Sequence, residues 1–323
     1  MTKRQAAFVA AKLAFAAVVI TWLFRKVDTA KVWDSFIHAK VPAVLGGLFI
    51  AWVTVVIAGL RWHWLLRIFG IHVPVRPLYF VTQIGQFFTM FLPGPAGDDL
   101  TRMVYIARLA KGRTAEACTS VLIDRVIGLA TVLLLAVLCI PWHWSVLVTS
   151  PQTYWIAVGM LSAGAVVCLC GAIFFVAGHP THAWFQRKLG LLPAHSLRDE
   201  LTRVWGLLAT NKSLLARVIA AAITTQFILC ILFYLAGTAV GITLPFFAWF
   251  GFVPVVLAAN AVPITIAGLG FRDYLLVLFL GVLGSVKDES ALAASFVVLA
   301  INIALALIGA LTYLLYRPQR NEA

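Results

Sequence analysis

Acidic residues are scarce in this chain, with twelve Asp and Glu in 323 residues, and charged residues of both signs make up only 11% against 62% apolar. Soluble domains run about 45–50% apolar and about 25% charged. The shortage excludes a soluble enzyme, a disordered chain and a solvated nucleic-acid binder, so no nucleic acid is expected as a partner. No loop of the form G-x-x-x-x-G-K-S/T occurs, which excludes ATP as a direct driver. Only five cysteines are present and none forms a C-x-x-C pair; free, buried thiols are expected. His179 and His182 approach a metal pair, but no third ligand stands at zinc-site spacing, so neither a metal nor a cofactor is expected. The apolar run ending at Phe24 leads directly into Arg25 and Lys26 without a small-residue cleavage site, which reads as an uncleaved first span.

What the chain has in abundance is apolar runs. At about 20 residues per span plus a loop, the length allows about six to eight spans and leaves no room for a soluble catalytic domain; no enzyme is expected. The runs cover roughly residues 6–24, 42–60, 77–92, 118–140, 154–177, 216–240, 246–262 and 290–316. Those at 77–92 and 246–262 are short, and each leads into a Pro- and Gly-rich loop followed by a more polar helix. Both read as first arms of re-entrant or broken hairpins, tolerated at membrane depth where they line a cavity or are buried in protein. The expected fold is therefore all-α: one polytopic membrane unit over 1–323, with about six full spans and two re-entrant hairpins. Under this reading most of the 25 Lys and Arg fall on one side, Arg61 among them, as the positive-inside rule requires. Arg25, Lys26, Lys31, Lys40 and Lys287 fall on the other, Arg102, Arg125 and Arg272 lie within the membrane, and both termini come out cytoplasmic.

Two connectors are amphipathic. In the connector 178–213, after Ser196 as an N-cap, Leu197, Leu201, Val204, Trp205 and Leu208 recur at helical spacing, the pattern of a helix lying on the inner surface. Val32, Trp33, Phe36 and Ile37 make a shorter stripe on the outer side.

The most informative feature is a pair of matching segments. Pro93 precedes Arg102 by nine residues, and Pro263 precedes Arg272 by the same interval. Three full spans separate them, so the second copy enters from the opposite face. This predicts an inverted-topology repeat, with cores at about 77–140 and 246–316, a layout that places substrate sites near the bilayer midplane. Each loop brings a helix N-terminus to membrane depth, where free N–H groups and the dipole favour an anion. Arg102 and Arg272, with Gly97, Gly268 and Gly270 in the loops, are expected to form an electropositive pocket for phosphate, since a guanidinium binds phosphate bidentately. Charges in a bilayer need partners. The candidate pairs are Asp98 or Asp99 with Arg102, Asp273 with Arg272, and Asp124 with Arg125. Gln86 and Asn260, with Gln83, Gln226 and Asn302, are amides within apolar runs that either line the cavity or bond between helices.

These residues resemble the transmembrane, flippase-like region of the lysylphosphatidylglycerol synthases, also called the multiple peptide resistance factor. The resemblance runs from Arg61-Trp62 and Leu65-Leu66, through Pro93 to Arg102 and Asp124-Arg125 to Gly128, to Pro263 through Asp273. Family members commonly carry Glu where this chain has Asp98-Asp99, Asp124 and Asp273, which keeps the charge and shortens the reach by one methylene. The soluble aminoacyl-transferase domain of the full-length synthases is absent, so the resemblance implies a lipid translocator of a bacterial or archaeal cytoplasmic membrane. Its expected partners are membrane lipids with a phosphate-bearing headgroup; oligomeric state, a homodimer included, is left open. Two other classes remain open at this stage: a membrane enzyme acting on a lipid pyrophosphate, and a carrier of a soluble anion or sugar.

Overall fold

A computed structural model describes residues 29–90, 92, 96–110, 112–177, 195–261 and 270–316. Every regular element among them is helical: α1 (Thr29–Ile37), α2 (Val41–Ile68), α3 (Val75–Thr89), α4 (Ala96–Leu109), α5 (Thr114–Cys139), α6 (Pro151–Ala177), α7 (His195–Thr210), α8 (Lys212–Ala239), α9 (Val253–Ala261), α10 (Phe271–Gly284) and α11 (Asp288–Leu315). Short helical turns cover Ile140–Leu147 and Phe246–Gly251. Five segments are long and apolar enough to cross a bilayer: α2, α5 with the turn that follows it, most of α6, α8 and α11. They correspond to the runs at 42–60, 118–140, 154–177, 216–240 and 290–316. The expected span at 6–24 lies outside the described residues.

The backbone hydrogen bonds and loop contacts fix two ends of the bundle. The amide of Lys40 donates to the carbonyl of Ala239, so α2 starts where α8 stops and the two pack antiparallel. At the far end of α2, Gly70 takes a positive φ of 70°, its amide bonds the Arg67 carbonyl and the Ile71 amide bonds that of Leu66, closing the helix with a left-handed glycine. Arg113, just before α5, donates to the carbonyls of Phe69 and Gly70, bringing the end of α4 and the start of α5 to the same place. We call this the basic end: Arg67, Arg76, Arg108, Arg113, Arg203, Lys212 and Arg217 lie on the helix ends and connectors gathered there, against Lys31, Lys40 and Lys287 at the opposite end.

α3 and α4 form a helical hairpin that begins and finishes at the basic end. They have 15 and 14 residues, about 22 and 21 Å at 1.5 Å per residue, short of a hydrocarbon core of about 30 Å. The approach that holds them together needs glycine. A Cβ on Gly97 would sit 2.3 Å from the backbone carbonyl of Phe88. Gly97 was read from the sequence as part of a binding loop; in the fold it is the point where one arm crosses the other. Gly97→Ala is expected to cost about 1–3 kcal/mol through overpacking, measurable as a lower thermal midpoint in detergent. α3 lies equally close to α11, where a Cβ on Gly309 would fall 2.4 Å from the Gln83 carbonyl.

The second broken segment behaves as a counterpart at the other end. The run 246–262 divides into the aromatic turn Phe246–Gly251 and α9, and α10 leads back until Gly284 meets Leu244. Phe252, Phe279, Trp249 and Leu276 pack with α8 and α11 into the larger apolar core. The smaller core, around Trp62, Leu65 and Leu66, lies towards the basic end and takes in Val204 of α7. His195 is already helical, so Ser196 lies inside α7 rather than at its cap. Arg203 ties this helix to Glu116 at the start of α5, 3.2 Å away.

α6 corrects one expectation. All five cysteines are free, but Cys168 and Cys170 are exposed, because α6 packs on the bundle chiefly through α5 and only 11% of its apolar window is buried. Cys230 is buried as expected, and Cys118 and Cys139 are partly buried.

Candidate functional site: a buried charge cluster with one open corner

Six charged side chains from three helices meet beneath the basic end. α4 opens with Asp98 and Asp99 in its first turn and closes with Arg108 in its last, the charge order that suits a helix dipole. One turn after Asp98 comes Arg102, whose Nε donates to Asp98 at 2.9 Å, an i, i+4 pair. Its Nη1 donates to Asp124 of α5 at 3.1 Å, and its guanidinium lies 5.4 Å from the ring centre of Trp62. Asp124 receives a two-pronged bond from Arg61 of α2, 2.6 Å from Nε and 2.8 Å from Nη2. Arg125, the next residue of α5, turns away and donates to Asp99 at 2.5 Å and Asp98 at 2.8 Å. Three guanidinium groups thus face three carboxylates.

Two sequence expectations are corrected by this geometry. Asp124 and Arg125 do not pair with each other. Consecutive helix residues point about 100° apart, so Asp124 faces Arg61 and Arg102 while Arg125 faces the start of α4. Arg61, placed by the charge count on the inner surface, is 8% exposed and holds the cluster together. The signal for it was in the sequence: Arg61 interrupts the apolar run of α2 seven residues before that helix ends, about 10 Å below its terminus, where a charge requires a partner.

The second arginine stands apart. Arg272 donates to Asp273 at 3.0 Å and to the Ser295 hydroxyl at 3.3 Å, and that hydroxyl in turn donates to Asp273. Asp273 also accepts the backbone amide of Gly270 at 2.8 Å, capping α10. Gly270 takes φ +92°, a conformation glycine adopts without strain. Among the described residues Arg102 and Arg272 share no hydrogen-bond partner, and each helix N-terminus expected to await an anion already carries its own carboxylate. They are 3% and 2% exposed. Both therefore have the surroundings of buried ion pairs; the loops expected to join them in one pocket lie outside the described residues. Ser295, which completes the second pair, carried no signal in the sequence, since a serine in an apolar helix is common.

The remaining expected site residues are scattered. Gln86 is half-buried on α3, and its side chain makes no hydrogen bond among the described residues. Gln83 donates to the Leu305 carbonyl at 3.0 Å, and Gln226 to that of Gly128 at 3.3 Å; both bond between helices. Gly268, the loop residues Pro93 and Pro263, the side chain of Asn260, and His179 and His182 lie outside the described residues. Among the described residues no group of three or more His, Cys, Asp or Glu could hold a metal ion.

One corner of the larger cluster is open. The side chains of Arg125 and Asp99 are 37% and 21% exposed, against 2–10% for Arg61, Arg102, Asp98 and Asp124. Arg125 lies eleven residues into α5, about 16 Å from its start. On the same face of α5, Leu122, Val126 and Leu129 are exposed, and on α4 so are Leu100 and Val104. The corner therefore combines a guanidinium and a carboxylate at mid-bundle depth with an apolar surround that acyl chains can wet.

A polytopic helical protein whose buried charges balance among the described residues, and whose central cluster keeps one ion pair partly exposed, is an integral membrane protein built around a polar centre. The chain belongs to the family described as the lysylphosphatidylglycerol synthase TM region, whose family model matches residues 9–310. Comparison with curated proteins gives no match.

Proposed function

We propose that this protein moves a phosphate-bearing lipid between the two leaflets, the headgroup entering sideways at the Arg125–Asp99 corner while the tails stay in the bilayer. The observation that carries the reading is that corner: the exposed members of a cluster otherwise sealed, at a depth where an unshielded charge costs several kcal/mol. A phosphate can take the place of Asp99 on Arg125 and keep a charge-assisted, bidentate contact throughout. Arg61, Arg102, Asp98 and Asp124 form a charge-neutral floor that holds Arg125 in place without competing for the headgroup. The α3–α4 hairpin starts and ends at the basic end and the segment from Phe246 to Gly284 at the opposite end, which supports two re-entrant elements related by inverted topology. The excess of Lys and Arg puts the basic end in the cytoplasm.

Topology is tested with single cysteines in a background lacking the native five. Arg76→Cys and Arg108→Cys should react with an impermeant maleimide only from the cytoplasmic side, and Thr243→Cys and Lys287→Cys only from the other. Reaction of all four from one side would remove the inversion. Transport is tested in liposomes with headgroup-labelled phospholipid and an impermeant quencher. Purified protein should speed leaflet exchange without ATP. No exchange of any phospholipid, together with uptake of a water-soluble anion or sugar, would make the protein a carrier instead.

A further inference from the structure

A second feature of the basic end is not used by the transport reading. Between the start of α3, the end of α4 and the end of α11 lies a cavity of about 730 Å³, within the range of small-molecule sites. Its polar side is Arg76 and His72, both exposed, and among the described residues none that line it is acidic. Arg76 makes no ion pair or hydrogen bond among the described residues; its guanidinium lies 5.7 Å from the ring centre of Phe80, which packs on Tyr316 at 5.0 Å. The other wall is apolar and open to the side, with Leu311 59% and Leu315 82% exposed at its mouth.

We infer that this groove binds one anionic phospholipid, its phosphate on Arg76 and an acyl chain along Leu311 and Leu315. The charge pattern selects this occupant. The other arginines within the bundle, Arg61, Arg102, Arg125 and Arg272, are held by carboxylates, whereas no described residue of the lining that Arg76 faces is acidic. It sits at the basic end, where headgroups lie if that end meets the membrane surface, and the cation–π contact with Phe80 orients the guanidinium without consuming its donors. A protein or peptide would need a wider surface than this cavity offers. A soluble anion would use Arg76 but would leave the apolar wall uncovered. The bound lipid joins the base of the α3–α4 hairpin to α11, so occupancy stabilises the folded protein by mass action.

The test is the thermal midpoint of the delipidated full chain in neutral detergent, titrated with dioleoylphosphatidylglycerol. The parent protein should be stabilised in a saturable manner. Arg76→Gln and Leu315→Glu, both at exposed positions, should shift the half-saturating lipid concentration upward by about tenfold or more, the scale of one lost charge-assisted contact. Arg76→Lys should retain most of the effect, because the site reads charge on a single phosphate. Arg217→Gln, at an exposed basic-end position outside the groove lining, should be stabilised by the lipid as the parent is, which separates this groove from the general positive charge of that end. Equal stabilisation of the parent by dioleoylphosphatidylcholine, by inorganic phosphate at the same concentration, or an unchanged titration of Arg76→Gln overturns the assignment. Loss of the effect in Arg217→Gln does so as well, by assigning the response to the charge of the basic end as a whole.

Discussion

Asp124→Asn should leave a protein that folds poorly or not at all. Asp124 is 2% exposed and is the shared acceptor of Arg61 and Arg102. Removing its charge strands the Arg61 guanidinium, which has no other carboxylate among the described residues, and leaves Arg102 with Asp98 alone; breaking a buried pair by deleting one partner typically costs about 3–5 kcal/mol, a large part of the about 5–15 kcal/mol by which domains are stable. The expected result is loss of the monodisperse peak after detergent extraction. The double variant Asp124→Asn with Arg61→Met should recover part of it, since the second change removes the stranded charge and replaces it with an apolar side chain of similar length. A fully folded single variant would mean that water reaches Arg61 and Arg102 and that the cluster floor is not sealed.

The second large effect falls on transport rather than folding. Arg125 lies at the edge of the cluster and its side chain is 37% exposed, so Arg125→Gln should extract and fold as the parent does. Its leaflet exchange should fall by about ten- to a hundredfold, which is what loss of a charge-assisted contact of about 1.5–3 kcal/mol amounts to at a barrier. Arg125→Lys should lie between the two, keeping the charge but not the planar fork. Arg272→Gln behaves differently: with Asp273 and Ser295 left around a vacated guanidinium, the loss appears in stability, and Asp273→Asn beside it should restore yield.

Composition and apolar run length made the membrane class and five of the spans legible, because spanning a bilayer imposes a length that few other folds need. The two short runs also stood out, since a helix of α3's length cannot cross alone. The Asp98–Arg102 and Arg272–Asp273 pairs were legible because each is local, one turn or one residue apart. What could not be read was which distant helices meet. Asp124 finds Arg61 across 63 positions of sequence, a contact fixed by how α2 and α5 pack and not by any local pattern. For the same reason the matching Pro-to-Arg spacings suggested a shared pocket for Arg102 and Arg272, although the carboxylates beside each arginine already neutralise it where it stands. Arg125 gained its place at the open corner only when the rotation of α5 was known.

The most direct measurement is photocrosslinking with a phospholipid that carries a diazirine in its headgroup, reconstituted with the parent protein and with Arg125→Gln. An ordinary lipid keeps its headgroup at the interface, so label about 16 Å below a helix end reports a headgroup drawn into the bundle. The account predicts modified peptides from α4 and α5 around Leu100, Leu122 and Val126 in the parent protein, and their loss in Arg125→Gln. Modification confined to the interfacial segments near Arg76 and Tyr316, or the same α4 and α5 label with and without Arg125, would contradict it.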